Sequence, residues 1–191
     1  KVRISVRYPA VELATGLLSA LVVVNFGTTW LTLALLLFVW ALIVLTMIDF
    51  GHQLLPDNVT LPLLWLGLAV NTQDFGTGVT TQESVLGAAI CYLSLWSFYW
   101  VFKVATGKDG MGYGDFKLLA ALGAWMGWQA LLPIVLLSSL AGITFGIGST
   151  FLKSREKSAP MPFGPFLAGA GLIMMIWGHQ IYTFSFTRFL L

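Results

Sequence analysis

Long apolar runs separated by short polar connections make up most of this chain. A helix that spans a bilayer needs about 20 mainly apolar residues, and it must be helical because lipid offers its backbone no hydrogen-bond partners. The pattern predicts seven such segments, at about 10–26, 29–49, 57–72, 82–104, 115–128, 129–152 and 162–184. We expect an all-α, polytopic transmembrane helical bundle of six to seven segments in a single domain over residues 1–191. The third and fifth segments are short, so they either cross a thinned membrane or fold back as re-entrant helices.

The composition indicates that lipid surrounds most of the protein. Hydrophobic residues make up 58% of the chain and charged residues 9%, whereas soluble domains carry about 25% charged residues. The net charge of +2 is too small to suggest nucleic acid as a partner. The single cysteine, Cys91, excludes an internal disulfide and a multi-cysteine zinc site.

The basic residues predict the orientation in the membrane. If all seven segments cross, nine of the ten basic residues fall on one face: Lys1, Arg3, Arg7, Lys103, Lys108, Lys117, Lys153, Arg155 and Lys157. Only Arg188 falls on the other face. The positive-inside rule places the basic face in the cytoplasm.

Two acidic residues lie at membrane depth on this topology. Asp49 closes the second segment and Asp115 opens the fifth, so both lie at the cytoplasmic end of the bundle. Like charges a few ångström apart cannot both ionise readily, so such a pair shares a proton. The ionised carboxylate can then take a proton from water while the protonated one polarises a peptide carbonyl. The placement favours an aspartyl protease site made by Asp49 and Asp115.

Helix capping is the other explanation for the acidic residues. Aspartate is favoured at helix N-caps, and both Asp57 and Asp115 stand directly before helical runs. Asp49 fits capping poorly, because a carboxylate at the C-terminal end of a segment opposes the helix dipole. Ionisable residues inside a membrane are functional candidates by default, which favours a catalytic role for Asp49.

Glycines at positions 110, 112 and 114 lead up to Asp115. A nucleotide-binding loop would need a strand before it, and none is predicted here. Because glycine has no Cβ, this spacing would let an extended substrate approach the carboxylate closely. His52, near the same site, is expected to be an interfacial polar residue rather than a catalytic base.

Two other classes of function remain open on the residues alone. A proton- or cation-coupled transporter could use the same acids, although transporters usually place polar groups at mid-membrane and often contain an internal repeat. An inert membrane scaffold would need Asp57 and Asp115 only as caps. The position of Asp49 argues against the scaffold.

Four blocks of sequence resemble the type IV prepilin peptidases, a branch of the GxGD intramembrane aspartyl proteases. These blocks are residues 7–12, 48–57 with the continuation 61–67, 112–124 and 162–168. The third block contains the Gly-Tyr-Gly-Asp form of the GxGD motif. The blocks extend over nearly the whole chain in the order expected of the family.

The resemblance implies a hydrolase with Asp49 and Asp115 as the catalytic pair. It implies substrate-binding or supporting roles for Gly112, Gly114, Asp57 and Lys117, and no metal or organic cofactor for proteolysis. The implied partners are the lipid bilayer and the prepilins and pseudopilins of type IV pili and type II secretion. Their basic leader would be cut before a Phe-type residue, at the cytoplasmic face of the bacterial inner membrane.

One feature of the family is missing from residues 1–191. Many members have an upstream domain with two Cys-x-x-Cys pairs that bind zinc, followed by a first membrane helix, and these 191 residues contain neither. Such enzymes often also N-methylate the new N-terminus. That second activity is in doubt for this chain, and S-adenosylmethionine is expected as a cofactor only if the activity is retained.

Overall fold

The computed structural model describes residues 7–73, 75, 77–151 and 162–189, with the backbone alone at 150, 151 and 179–189. Within these residues the chain forms seven α-helices and no strand. The helices are α1 (Arg7–Phe26), α2 (Trp30–His52), α3 (Asp57–Thr72), α4 (Thr81–Thr106), α5 (Tyr113–Met126), α6 (Leu131–Phe151) and α7 (Gly164–Phe189), with a 3-10 turn at Trp128–Ala130 before α6. The predicted all-α helical bundle is confirmed.

The outer surface of the bundle is suited to lipid. Four stretches are long and apolar enough to cross a bilayer, namely α1, α2, α4 and Trp128–Ser149. Large apolar side chains stand exposed on these helices, among them Val24, Trp30 and Val104 at 82%, 76% and 83% exposure. Apolar surface on this scale is typical of a membrane protein rather than of a soluble monomer.

The short helix α5 is enclosed by the rest of the protein. Ten of its 14 residues are buried. Small residues allow the close approach: a Cβ atom on Gly123 would lie 2.6 Å from Sγ of Cys91 in α4, and one on Gly67 of α3 would meet the Trp125 ring at 2.5 Å. The Trp125 indole N–H donates a 2.9 Å hydrogen bond to the carbonyl oxygen of Leu63. Because its neighbours are helices, α5 does not need the length of a lipid-exposed span.

Helices α3 and α5 run in the same direction through the bundle. At one end, Lys117 of α5 pairs with Asp57, the first residue of α3. At the other end, the side-chain amide of Asn71 in α3 donates to the carbonyl oxygen of Ala124 in α5 at 2.8 Å. At 1.5 Å per residue the two helices are roughly 24 and 21 Å long, against about 30 Å for the hydrocarbon core. Both are short, as predicted, and each is one continuous helix; whether either one crosses the bilayer stays a prediction.

Two helix boundaries differ from the prediction in ways that matter for the site. Helix α2 continues three residues past Asp49 to His52. Gln53 caps this end of the helix: its φ of 54° turns the chain, and its N–H donates to the carbonyl oxygen of Asp49. Asp49 therefore lies in the last helical turn rather than at the end of the helix.

The helix starts also differ from the capping explanation. The N-cap of α3 is Pro56 and that of α5 is Gly112, and neither start has a side-chain cap. Asp57 and Asp115 lie in the first turns of their helices, so N-capping is wrong as the account of either carboxylate. The C-terminal end of α2 and the N-terminal ends of α3, α5 and α7 gather at one end of the bundle, called the aspartate end below.

The described residues include only some of the basic residues from which the membrane orientation was predicted. Lys1, Arg3, Lys153, Arg155 and Lys157 lie outside the described residues, as does the side chain of Arg188. The described basic residues belong to elements that start or finish at the aspartate end: Arg7, Lys103, Lys108 and Lys117. The distribution within the described part of the chain agrees with the predicted asymmetry.

Candidate active site

Asp49 is buried in the last turn of α2, with 5% of its surface exposed. Its Oδ2 atom accepts a 3.0 Å hydrogen bond from the backbone N–H of Gly164. Gly164 is the first residue of α7, and N–H groups in the first turn of a helix have no partner within that helix. The positive end of the α7 dipole thus faces the carboxylate. This contact offsets the unfavourable position of Asp49 at the C-terminal end of its own helix.

Asp115 is buried in the first turn of α5, with 7% of its surface exposed. Its backbone N–H donates to the carbonyl oxygen of Gly112 at 3.2 Å. Its carboxylate is close enough to Asp49 for the two groups to interact electrostatically. The fold therefore brings together the two carboxylates that the sequence analysis paired. Their catalytic role remains a prediction.

Leu55 lies between the glycines that accompany the two carboxylates. A Cβ atom placed on Gly114 would lie 2.7 Å from Cβ of Leu55, and one placed on Gly164 would lie 3.1 Å from each Leu55 methyl carbon. Leu55 itself is buried, at 9% exposure. The same Cβ on Gly164 would lie 2.6 Å from Oδ2 of Asp49. Leu55 and Gly164 lie in blocks 48–57 and 162–168 of the family resemblance, but no role was predicted for either residue.

Asp57 and Lys117 join the start of α3 to α5. The Lys117 ammonium group donates to both carboxylate oxygens of Asp57, at 2.6 and 2.7 Å. Side-chain exposure is 28% for Lys117 and 55% for Asp57. Lys117 follows Asp115 by two positions, and Asp57 follows Leu55 by two. The two residues predicted to support the site therefore form an ion pair at its edge. Within the described residues, neither Asp57 nor Lys117 contacts Asp49 or Asp115.

The three glycines before Asp115 have different surroundings. Gly114 packs on Leu55, and a Cβ on Gly110 would lie 2.8 Å from the ring of Phe102. Only Gly112 is open: it is exposed, and the nearest atom to a Cβ placed there is Oδ2 of Asp115, at 3.7 Å. The side chains of Leu55 and Phe102 occupy the space next to Gly114 and Gly110, whereas the space next to Gly112 is open; that these glycines admit a substrate stays a prediction.

A polar cluster that the sequence analysis missed fixes the connection between α4 and α5. Lys103 contacts Asp109 at 2.8 Å, the Tyr99 hydroxyl donates to Asp109 at 2.6 Å, and Lys103 donates to the Tyr99 hydroxyl at 3.0 Å. The Lys103 ammonium group and the Tyr99 hydroxyl hold the pKa of the Asp109 carboxyl below its usual range. The only local signal was the i, i+4 spacing of Tyr99 and Lys103, which places both on one helix face.

The remaining candidates are His52, a possible metal site and a cavity. His52 is exposed at the end of α2, as expected of an interfacial residue. The described residues contain no group of three or more His, Cys, Asp or Glu side chains placed to hold a metal ion. A cavity of about 730 Å³, lined by Phe38, Trp125 and Met174 among others, lies toward the opposite end of the bundle, and neither Asp49 nor Asp115 lines it.

Comparison with known proteins identifies relatives over almost the whole chain. Residues 36–147 match the model of the type IV leader peptidase family. The chain is 52% identical over 189 residues to a prepilin leader peptidase/N-methyltransferase of Stutzerimonas stutzeri. It is 55% identical over 187 residues to one from Aeromonas hydrophila and 54% identical over 181 residues to one from Pseudomonas aeruginosa.

These alignments cover 99%, 98% and 95% of this chain but 64%, 64% and 62% of the three relatives. The chain thus spans somewhat less than two thirds of the length of these curated proteins. No solved structure matches it. The comparisons give no support to the transporter or to the inert scaffold.

Proposed function

Since this chain belongs to the type IV leader peptidase family, we propose that it is an intramembrane aspartyl endopeptidase acting on type IV prepilins and pseudopilins. It removes their basic leader before a Phe-type residue. The observation on which the proposal depends most is that two buried carboxylates from different helices, Asp49 and Asp115, lie at one end of the bundle and are close enough to interact electrostatically. The names of the curated relatives support the same substrate class.

The two carboxylates supply what peptide hydrolysis needs. With one proton between them, the ionised carboxylate removes a proton from water as its oxygen attacks the scissile carbonyl carbon. The protonated partner donates its proton to the carbonyl oxygen, which gives a tetrahedral gem-diol. That intermediate collapses when the leaving nitrogen takes the proton from one carboxylic acid of the dyad, a hydroxyl group of the gem-diol gives its proton to the other carboxylate, and the C–N bond breaks. The products are a carboxylic acid and a free amine, and one proton again remains on the pair.

The surroundings of the pair favour this division of labour. The Gly164 N–H donates to Oδ2 of Asp49, and a hydrogen bond to a carboxylate favours its ionised form. We therefore assign the general base to Asp49 and the initial general acid to Asp115. Gly112 is exposed, and a Cβ atom placed on it would lie 3.7 Å from Oδ2 of Asp115. Gly112 is therefore the point where an extended substrate passes Asp115.

We further propose that the protein resides in the bacterial inner membrane with the aspartate end facing the cytoplasm. The described basic side chains belong to elements that reach that end, and cytoplasmic loops are enriched in Lys and Arg. A cysteine introduced at Lys108 and treated with a membrane-impermeant thiol reagent tests the orientation in a Cys91→Ala background. Labelling in inverted membrane vesicles but not in spheroplasts is expected. Labelling in spheroplasts alone would reverse the orientation.

The names of the relatives also include N-methyltransferase, an activity that uses S-adenosylmethionine. The two carboxylates account for hydrolysis alone, so methylation needs its own measurement. Cleaved prepilin is incubated with the protein and S-adenosylmethionine, and the mass of the mature N-terminal peptide is read for an added methyl group.

The test of the peptidase proposal is cleavage of a purified prepilin. The protein, folded in detergent as judged by a cooperative melting transition, is incubated with a prepilin bearing its basic leader, and the new N-terminus is determined by mass spectrometry. We expect one new N-terminus, at the Phe-type residue that follows the leader. Intact prepilin after prolonged incubation with the folded protein would contradict the proposal.

A further inference from the structure

We propose that Leu55, held in place by the Asp57–Lys117 ion pair, is the positioning residue that sets the separation of the two carboxylates. This inference depends on the proposed function, because it assigns a role in the same reaction. The residues involved are not part of the acid–base chemistry. Leu55 acts through the backbone at Gly114 and Gly164, which accompany Asp115 and Asp49.

The need for a spacer follows from how the carboxylates are mounted. Asp49 lies on α2 and Asp115 on α5, and the aromatic contact between these helices, Phe38 with Trp125 at 4.8 Å, is toward the opposite end of the bundle. At the aspartate end the helices are joined by the Leu55 side chain, which fills the space between Gly114 and Gly164. Protein interiors are close-packed, so removing such a side chain lets its neighbours shift.

Leu55 touches the first turns of α5 and α7 with different parts of its side chain. Its Cβ faces Gly114, where a Cβ on the glycine would come within 2.7 Å, and its two methyl groups face Gly164 at 3.1 Å from such a Cβ. Gly164 is also the residue whose N–H binds Asp49. Truncating Leu55 to alanine would keep the contact to Gly114 and remove the contact to Gly164. The first turn of α7 would then lose its contact with Leu55, and Asp49 would shift relative to Asp115.

The ion pair fixes the segment that presents Leu55. Gln53 reverses the chain after α2 with a left-handed conformation, and Pro56 begins α3. The bond from Lys117 to both oxygens of Asp57 then ties this segment to α5, two residues beyond Asp115. The ion pair thus holds Asp57, and with it the short segment that carries Leu55, next to α5.

The experiment measures kcat and KM separately for prepilin cleavage. Leu55→Ala is expected to lower kcat by about tenfold or more while KM changes by about twofold or less, because misplacing a catalytic group affects the transition state more than binding. Leu55→Met, of similar volume, should recover at least about half of the parent kcat. Lys117→Met should lower kcat in the same direction, and Lys117→Arg, which can restore the bidentate contact, should recover it.

The matched control is Leu35→Ala. Leu35 is also a buried leucine, at 6% exposure against 9% for Leu55, but it lines the cavity toward the opposite end. The Leu35→Ala variant should lower the melting temperature by about as much as Leu55→Ala does, and its kcat should stay within about twofold of the parent value. If Leu55→Ala unfolds, the comparison of Leu55→Met with Lys117→Met and Lys117→Arg still tests the proposal.

The outcomes separate this inference from the proposed function. If the parent cleaves prepilin but Leu55→Ala keeps the parent kcat, or loses no more kcat than Leu35→Ala at equal stability, then Leu55 is only a core residue and the inference is wrong. If the folded parent does not cleave prepilin, the proposed function fails first. A loss of kcat at Leu55 and Lys117, with recovery by the conservative variants, supports positioning.

Discussion

The backbone N–H of Gly164 donates a 3.0 Å hydrogen bond to Oδ2 of Asp49, and so joins the start of α7 to the last turn of α2. A carboxylate at the C-terminal end of a helix is unfavourable, and the N-terminus of a second helix supplies the compensating partner. The contact also requires a glycine, since a Cβ at position 164 would lie 2.6 Å from the same oxygen. One backbone group thereby orients the carboxylate that we assign as the general base.

Gly164→Ala is predicted to lower the rate of prepilin cleavage by about tenfold to a hundredfold, because the added methyl group displaces Asp49. The control is Gly169→Ala in the same helix, where a Cβ meets no atom within 4 Å. That control should cleave prepilin at the parent rate. Equal rates for the two variants would mean that the close approach at Gly164 is not needed for activity.

Gly114 and Gly112 are predicted to respond differently to substitution, although both belong to the GxGD motif. A methyl group on Gly114 must displace Leu55, whereas one on Gly112 meets its nearest atom at 3.7 Å. The kcat of Gly114→Ala should fall about tenfold further than that of Gly112→Ala, since only the former shifts the first turn of α5. A larger kcat loss for Gly112→Ala would show that the motif needs its glycines to admit the substrate rather than to pack against Leu55.

Gly87 and Gly123 are predicted to matter for stability, because each faces the backbone of the other where α4 crosses α5. Overpacking of this crossing by Gly87→Ala should lower the free energy of unfolding by about 1–3 kcal/mol. Gly148→Ala in α6, where a Cβ meets nothing within 4 Å, should instead raise it by about 0.5–1 kcal/mol. Thermal unfolding in detergent measures both, and a stabilised Gly87→Ala variant would disprove the tight crossing.

The Asp109 cluster is predicted to hold the α4–α5 connection over the whole physiological pH range. The pKa of Asp109 is lowered by Lys103 and Tyr99, so its contribution is present above the unfolded value of 3.8 and is lost as pH falls through the lower folded value. Hydrogen exchange at residues 107–112 should be faster in Asp109→Asn than in the parent by a constant factor from about pH 5 to 8. That factor should approach one below about pH 4. A fall in this ratio of exchange rates between pH 7 and pH 5 would contradict the lowered pKa of Asp109.

The apolar runs, together with the prolines and polar stretches between them, were sufficient to locate the helices. The third segment was predicted at 57–72, which is where α3 lies, because Pro56 and the polar stretch after Thr72 mark both ends. The extension of α2 to His52 was not predicted, since the apolar run stops at Asp49 while the backbone hydrogen bonds continue. The pairing of Asp49 with Asp115 was reached from topology alone.

The supporting residues of the site could not be found in the same way. Gly164 meets Asp49 across 115 positions and Lys117 meets Asp57 across 60, and contacts at such separations leave no periodic signal. Leu55 looks like any other leucine in an apolar chain. Nor can the spacing of three glycines tell which of them faces a substrate and which faces Phe102 or Leu55, because that depends on side chains from other helices.

The most direct test of the central claim is prepilin cleavage by Asp49→Asn and Asp115→Asn, compared with the parent and with Glu83→Gln. Glu83 is an acid at the other end of the bundle, in the capping box of α4, and glutamine preserves that cap. Each aspartate variant should remain folded and cleave at least about a thousandfold more slowly, since neither can share a proton. The Glu83→Gln variant should cleave as the parent does. Cleavage near the parent rate by either folded aspartate variant would contradict the two-carboxylate mechanism.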